Sequence, residues 1–185
     1  MISYSTLCNN YGCGATNEKM KSFINPRMLL LCALSLSLIS WDRVSKDLAK
    51  EYLRDKPART FLHESFRLEY VENTGAAMSL ADNLSPQLSF WLLGILPLTI
   101  LIGLFAYMVI HSRDIRTPRL MSLTLIFAGG IGNILDRLLF DRHVTDFMNI
   151  ELPILRSGIF NFADVWIAAG VAWWAVESLK KHQFP

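Results

Sequence analysis

Charge is scarce in this chain. Only 18% of its 185 residues are Asp, Glu, Lys or Arg, while 52% are hydrophobic; a typical soluble domain carries about 25% charged residues. That shortage leaves too little polar surface to cover a soluble globule. The net charge is +2, with no Lys/Arg run and no stripe of stacked aromatics, so nucleic acid is not an expected partner. Cysteine is nearly absent as well. Cys8, Cys13 and Cys32 form no Cys-x-x-Cys pair and no Cys/His cluster at zinc spacing. His63, His111, His143 and His182 are scattered without a His-x-x-x-His pair, so no metal site is expected. No Gly-x-Ser-x-Gly elbow marks a serine nucleophile.

Long apolar runs fill the space that charge leaves. A membrane span needs about 20 mostly apolar residues at 1.5 Å rise each. Four stretches qualify, at about 24–44, 88–110, 120–140 and 159–179. Pro97 lies near the middle of the second and is expected to kink it. The first has a basic flank (Lys19, Lys21, Arg27) like a signal peptide. No small-residue cleavage site follows it, so it reads as an uncleaved span. The fold class is an all-α membrane protein of four transmembrane helices with a small extracytoplasmic β-containing subdomain. Residues 1–19 match no span and read as a flexible extension, leaving 20–185 as one four-span domain.

Orientation follows the short loops. The loop 111–119 holds Arg113, Arg116 and Arg119 against Asp114 alone. Lys180 and Lys181 follow the last span, and the basic flank precedes the first. Four spans put all three segments on one side, so both termini are expected to be cytoplasmic. The long loop 45–85 then lies outside the cell. Its first part, Ser45 to Arg54, has helical composition that Pro57 stops. Arg67 to Val71 alternates polar and apolar residues, as a half-exposed strand does, and Asn73-Thr74-Gly75 is a turn signal. Residues 141–158 read as a second, shorter loop.

Against this apolar background two acids stand out. Asp146, in Val-Thr-Asp-Phe, and Asp164, in Phe-Asn-Phe-Ala-Asp, each sit at the edge of a span. An ionised carboxylate at the centre of a span costs roughly 2.5–3.5 kcal/mol on insertion scales. Two carboxyls near each other in low dielectric do not both ionise easily, so one tends to hold a proton. That is the chemistry of a water-activating pair. Taken alone, Asp164 reads equally as an acid at a helix N-terminus, worth about 0.3–1 kcal/mol through the macrodipole. Asn161 precedes it by one turn and can orient a carboxyl.

Two further groups are polar where lipid or packed helix is expected. Asp42 and Lys46 stand four apart at the outer end of the first span, as an ion pair on one helix face would. Asn133, Asp136 and Arg137 share a face of the third span, beyond a run of glycines that permits close helix approach. They read as a polar clamp that also shapes the site.

These motifs together resemble lipoprotein signal peptidase (signal peptidase II). The matching segments are Trp41-Asp42-Arg43-Val44-Ser45-Lys46, Glu72-Asn73-Thr74-Gly75-Ala76-Ala77, Gly132-Asn133-Ile134-Leu135-Asp136-Arg137, Val144-Thr145-Asp146-Phe147 and Phe160-Asn161-Phe162-Ala163-Asp164. The resemblance runs from about residue 28 to 180. It implies an aspartic peptidase of the inner (cytoplasmic) membrane, with its active site near the extracytoplasmic face and no metal or organic cofactor. Its partners would be membrane lipid and diacylglyceryl-modified prolipoproteins, cut just before the lipidated cysteine. Asp146 and Asp164 match the catalytic pair. Asn73, Asn133, Arg137 and Asn161 match positions lining the site, while Asp42, Lys46, Gly75 and Asp136 match motif positions that support it. A monomer is expected. Three places depart from the family pattern: Arg43, where glutamine is common, Glu72, and Asp141-Arg142-His143. They read as rim residues. The alternative is a small transport or proton-conducting membrane protein, which would need ionisable groups on both sides of the midplane.

Overall fold

The computed structural model describes residues 26–63, 65–73, 85–152 and 157–183. The proposed extension 1–19 and the turn residue Gly75 lie outside the described residues. Among the described residues, four helices are long and apolar enough to cross a membrane. Helix α1 is Pro26–Leu53. Helix α2 spans 86–110 and changes winding on the way. An α turn, Pro86–Ser89, leads into a π-helical stretch, Phe90–Ile95, and then into α-helix Leu96–Ile110. The change of winding sits directly before Pro97. That residue has no N–H to donate, and its ring crowds the carbonyl one turn back. The expected kink is thus a π segment. Helix α3 is Thr117–Leu139 and helix α4 is Phe162–Gln183. Their outward faces are apolar, with Leu30, Ile102 and Leu179 each more than 60% exposed, as lipid-facing residues are.

Three strands, β1 (Arg59–Phe61), β2 (Phe66–Asn73) and β3 (Val144–Ile150), form an antiparallel sheet in the order β1-β2-β3. The expected strand at Arg67–Val71 is present and longer. Strand β3 corrects the reading of 141–158 as loop, and with it the placement of Asp146 at the edge of a span. Val144, Asp146, Phe147, Met148 and Asn149 are all buried, so the strand is enclosed on both faces. It shows no alternation from which to read a strand.

The first span and the helical stretch read at Ser45 to Arg54 form one unbroken helix that ends at Leu53. Beyond the apolar zone α1 turns from lipid to protein. Ala49 and Leu53 pack with Phe147 and Met148 of β3, joined by Leu68, Tyr70 and Phe162. This apolar cluster seats the sheet on the C-terminal end of α1. Where β2 meets β3 the register slips between Leu68 and Val71, and Val71 then pairs with Asp146. A bulge of this kind commonly re-aims side chains beside a functional site.

The last span starts at Phe162, three residues later than expected. Asn161 caps it. Its Oδ1 accepts from the Asp164 N–H at 3.0 Å, and its own N–H donates to Asp164 Oδ2 at 3.2 Å. This reciprocal capping box satisfies two backbone donors at once. Upstream, Phe160 and Met148 exchange both backbone hydrogen bonds at 2.8 and 2.9 Å. That ties the approach to α4 against β3.

Helices α3 and α4 pack closest through glycine. A Cβ at Gly129 would press on the Ala163 carbonyl and lie 2.8 Å from Ile167 Cγ1. Small residues at such contacts let helix backbones approach. Gly129→Ala is expected to force the two helices apart and destabilise the fold by about 1–3 kcal/mol. Gly94→Ala, where nothing lies within 4 Å of the added carbon, should leave stability unchanged. Thermal unfolding of both variants in detergent checks the contrast.

Candidate active site

The site begins with a buried lysine. Lys46 is 1% exposed, and its ammonium lies 2.7 Å from Asp42 Oδ2 and 2.9 Å from Asp136 Oδ2. Asp42 and Lys46 thus pair within α1 as their spacing predicts, but in the protein interior. A buried ammonium is tolerated because it is paired and hydrogen-bonded. Each carboxylate then holds a second element. Asp42 Oδ1 accepts from the Ala163 N–H of α4 at 2.8 Å, and Asp136 Oδ2 accepts from the Thr145 N–H of β3 at 3.2 Å. Asp136 Oδ1 accepts from Arg43 Nη1 at 2.9 Å. Gly132 makes room for this cluster, since a Cβ there would lie 2.7 Å from Asp42 Oδ2. Asn133, Asp136 and Arg137 form the expected clamp, with Asp136 directed to α1 and Arg137 to the cavity described next.

Above this cluster three asparagines converge on the two acids. Asn73 Nδ2 donates to Asp146 Oδ2 at 2.9 Å, and Asn161 Nδ2 donates to Asp146 Oδ1 at 2.6 Å. Asn133 Nδ2 donates to Asp164 Oδ1 at 2.8 Å, and the Asn161 N–H reaches Asp164 Oδ2. The Asn133 carbonyl oxygen accepts in turn from Asn161 Nδ2 at 3.1 Å and Lys46 Nζ at 3.3 Å. Every carboxyl oxygen of the pair therefore has an N–H donor. Amides do this without adding charge, and they orient the acids.

Asp146 and Asp164 open on one cavity of about 420 Å³, also lined by Asn73, Asn133, Arg137 and Phe160. Arg137 acts electrostatically on both acids from the wall of this cavity. Eighteen residues of sequence separate the acids. The Phe160–Met148 bridge closes that gap, because it lays the start of α4 beside the strand that carries Asp146. Burial pushes the Asp146 carboxyl up from the ordinary 3.8 to about 6; the Asn73 hydrogen bond opposes this, and the negative charge of Asp164 adds to it. Nine of the ten expected site residues, Asp42, Lys46, Asn73, Asn133, Asp136, Arg137, Asp146, Asn161 and Asp164, join in this one assembly. Gly75, the tenth, falls outside the described residues. The backbone N–H groups of Ala163 and Thr145 and the side chain of Arg43 were not foreseen as participants. Backbone donors leave no residue signature. Arg43 did leave one, as a cation immediately beside Asp42.

The family comparison follows the geometry. The signal peptidase (SPase) II family profile matches residues 34–180. The chain belongs to the signal peptidase II family. A lipoprotein signal peptidase of Borreliella burgdorferi is 33% identical over 160 residues, covering 84% of this chain and 89% of the relative. One of Borrelia turicatae is 31% identical over 147 residues, covering 77% and 85%. A solved bacterial membrane enzyme superposes with a TM-score of 0.71 at 25% identity, over 83% of this chain and 89% of its own. A second shares the fold with a TM-score of 0.68 at 23% identity, over 82% and 93%. Membership of signal peptidase II makes the protein a multi-pass membrane protease, and the transport alternative is not favoured.

The raised Asp146 carboxyl links stability to pH. Its proton is bound more tightly in the fold than in the unfolded chain, so its contribution favours the fold at low pH. That contribution is lost as pH rises from about 4 through about 6. Asp146→Asn removes the loss. The melting temperature of Asp146→Asn relative to wild type should therefore climb between about pH 4 and about pH 6 and level off above that. A difference that stays level across this range would contradict the burial argument.

Proposed function

We propose that this prolipoprotein signal peptidase works as an aspartic endopeptidase, with Asp146 and Asp164 as its catalytic pair. The observation that carries the proposal is the shared cavity. Two carboxyls open on it, each with both oxygens held by N–H donors. The substrate is a prolipoprotein already carrying diacylglycerol on a cysteine, and the bond cut lies just before that cysteine.

In this mechanism the pair shares one proton and titrates as a unit. Asp146 holds the proton, since burial and the charge of Asp164 both favour its neutral form. Asp164 lies in the first turn of α4, where the positive end of the helix dipole favours negative charge. The ionised carboxylate takes a proton from a water between the pair, and the protonated carboxyl hydrogen-bonds the scissile carbonyl. The water attacks that carbonyl, and a proton passes to the leaving nitrogen. Arg137 offsets the negative charge of the pair, while Asn73, Asn133 and Asn161 hold both acids in register.

The setting supports the same reading. The sheet and the pair lie at one end of the helices, and the arginine-rich 111–119 loop lies at the other. The basic-loop rule makes the latter end cytoplasmic. Both termini then face the cytoplasm of an inner-membrane protein, and the pair faces the outer interface. There the acyl chains of the substrate stay in lipid, which they would leave at a cost of about 0.8 kcal/mol per CH₂.

Asp146→Asn and Asp164→Asn should each lower cleavage of a diacylglyceryl-modified precursor by at least about 10²-fold, the lower end of typical acid–base contributions. A gel-shift cleavage assay measures this, with membrane extraction showing that each variant still inserts. Normal turnover by either variant rejects the pair.

A further inference from the structure

The three places read from the sequence as rim positions, far apart in the chain, meet in space. Arg43, Glu72, Asp141 and His143 line one polar cavity of about 350 Å³, together with Lys46 and Thr145. It lies across β3 from the candidate active site. Thr145 faces this cavity and Asp146 the other, as successive strand residues do. Among the four, Arg43 touches the buried cluster directly, through Asp136 Oδ1 at 2.9 Å. Its guanidinium rests 4.4 Å over the Phe140 ring, and it also pairs with Asp47, which is 57% exposed.

The charges of the site balance only when Arg43 is counted. Four carboxyls lie in two adjoining pairs here, Asp42 on α1 with Asp136 on α3, and Asp146 on β3 with Asp164 on α4. With a single proton shared by the pair, they carry three negative charges. Lys46 and Arg43 on α1 and Arg137 on α3 supply three positive ones. Asp47 pairs with Arg43 from the water-facing side and offsets part of its charge, while Lys50, Arg54, Glu72, Asp141 and His143 lie further out, in or near the outer polar cavity, where water and salt screen them. A buried set of charges is costly unless it is paired. Without Arg43 the inner set carries one uncompensated negative charge, and a second proton is its simplest remedy.

We infer that Arg43 is a positioning residue that completes the charge balance of the buried site and so sets the pH range over which the aspartate pair works with a single proton. The route is short. Arg43 holds Asp136, Asp136 holds the Thr145 N–H, and Asp146 is the next residue along β3. The inference rests on the aspartic reading given above.

Arg43→Gln keeps a donor for Asp136 but removes the charge. It should move the alkaline limb of the kcat/KM profile for a diacylglyceryl-modified precursor upward by about half a pH unit or more, the size expected of one charge at this range in a partly buried setting. Arg43→Lys restores the charge and should return the limb to its wild-type position. An unmoved limb in Arg43→Gln, or an equal loss of activity at every pH, would mean a purely structural role and overturn the inference. If Arg43→Gln does not accumulate, the exposed Asp47→Asn carries the test. It frees Arg43 of its second carboxylate, so the limb should move down, and an upward shift or none overturns the inference. Asp146→Asn measured alongside separates the two ideas. An active Asp146→Asn sinks the aspartic reading itself, whereas an inactive one beside an unmoved Arg43→Gln limb sinks only the role of Arg43.

Discussion

The ammonium of Lys46 is where this structure is tied together. It joins a carboxylate on its own helix, Asp42, to one on α3, Asp136. Each of those carboxylates then accepts a backbone N–H, from α4 in one case and β3 in the other. Two further helices and the sheet are therefore held to α1 through this one ion cluster. Ion pairs of this kind are poor evidence of net stability, because desolvation offsets much of the attraction. Breaking one is another matter, since an uncompensated buried charge typically costs about 3–5 kcal/mol. The cluster fixes which arrangement of the elements is allowed more than it adds to the total.

That constraint explains the precision of the layer above. Asn133 accepts from Lys46 and donates to Asp164, so the ionic cluster and the candidate pair share a residue. Asn161 serves both acids and caps α4 in the same geometry. The reading of Asp164 as a helix-capping acid and its reading as a catalytic acid are therefore not rivals. One hydrogen-bonded arrangement accommodates both readings, and the cap holds the carboxyl at the cavity wall.

Much of this was legible in the residues. Hydrophobic runs of span length marked four helices, because lipid admits few charges and every helix satisfies its own backbone. For the same reason the polar residues near those runs were conspicuous, and nine of the ten site residues named from motifs appear in one assembly. Strand β3 was not legible. Enclosed on both faces, it lacks the alternation that betrayed β2, and residues 141–158 read as loop. The helical reading of Ser45 to Arg54 agrees with α1, which ends at Leu53, but the span was closed near residue 44 because most charges beyond it face water and only Lys46 is buried.

The sequence by itself determined the solvent this protein lives in, the family it belongs to and which acids are candidates for chemistry, since each of these depends on local composition or short motifs. Only the tertiary structure decided which charges meet. Arg43 read as a rim residue until α1 and α3 were placed side by side, and eighteen residues separated Asp146 from Asp164 until Phe160 paired with Met148. Electrostatic and hydrogen-bonded contacts depend on distances of a few ångströms between segments far apart in the chain, and those distances are set by packing.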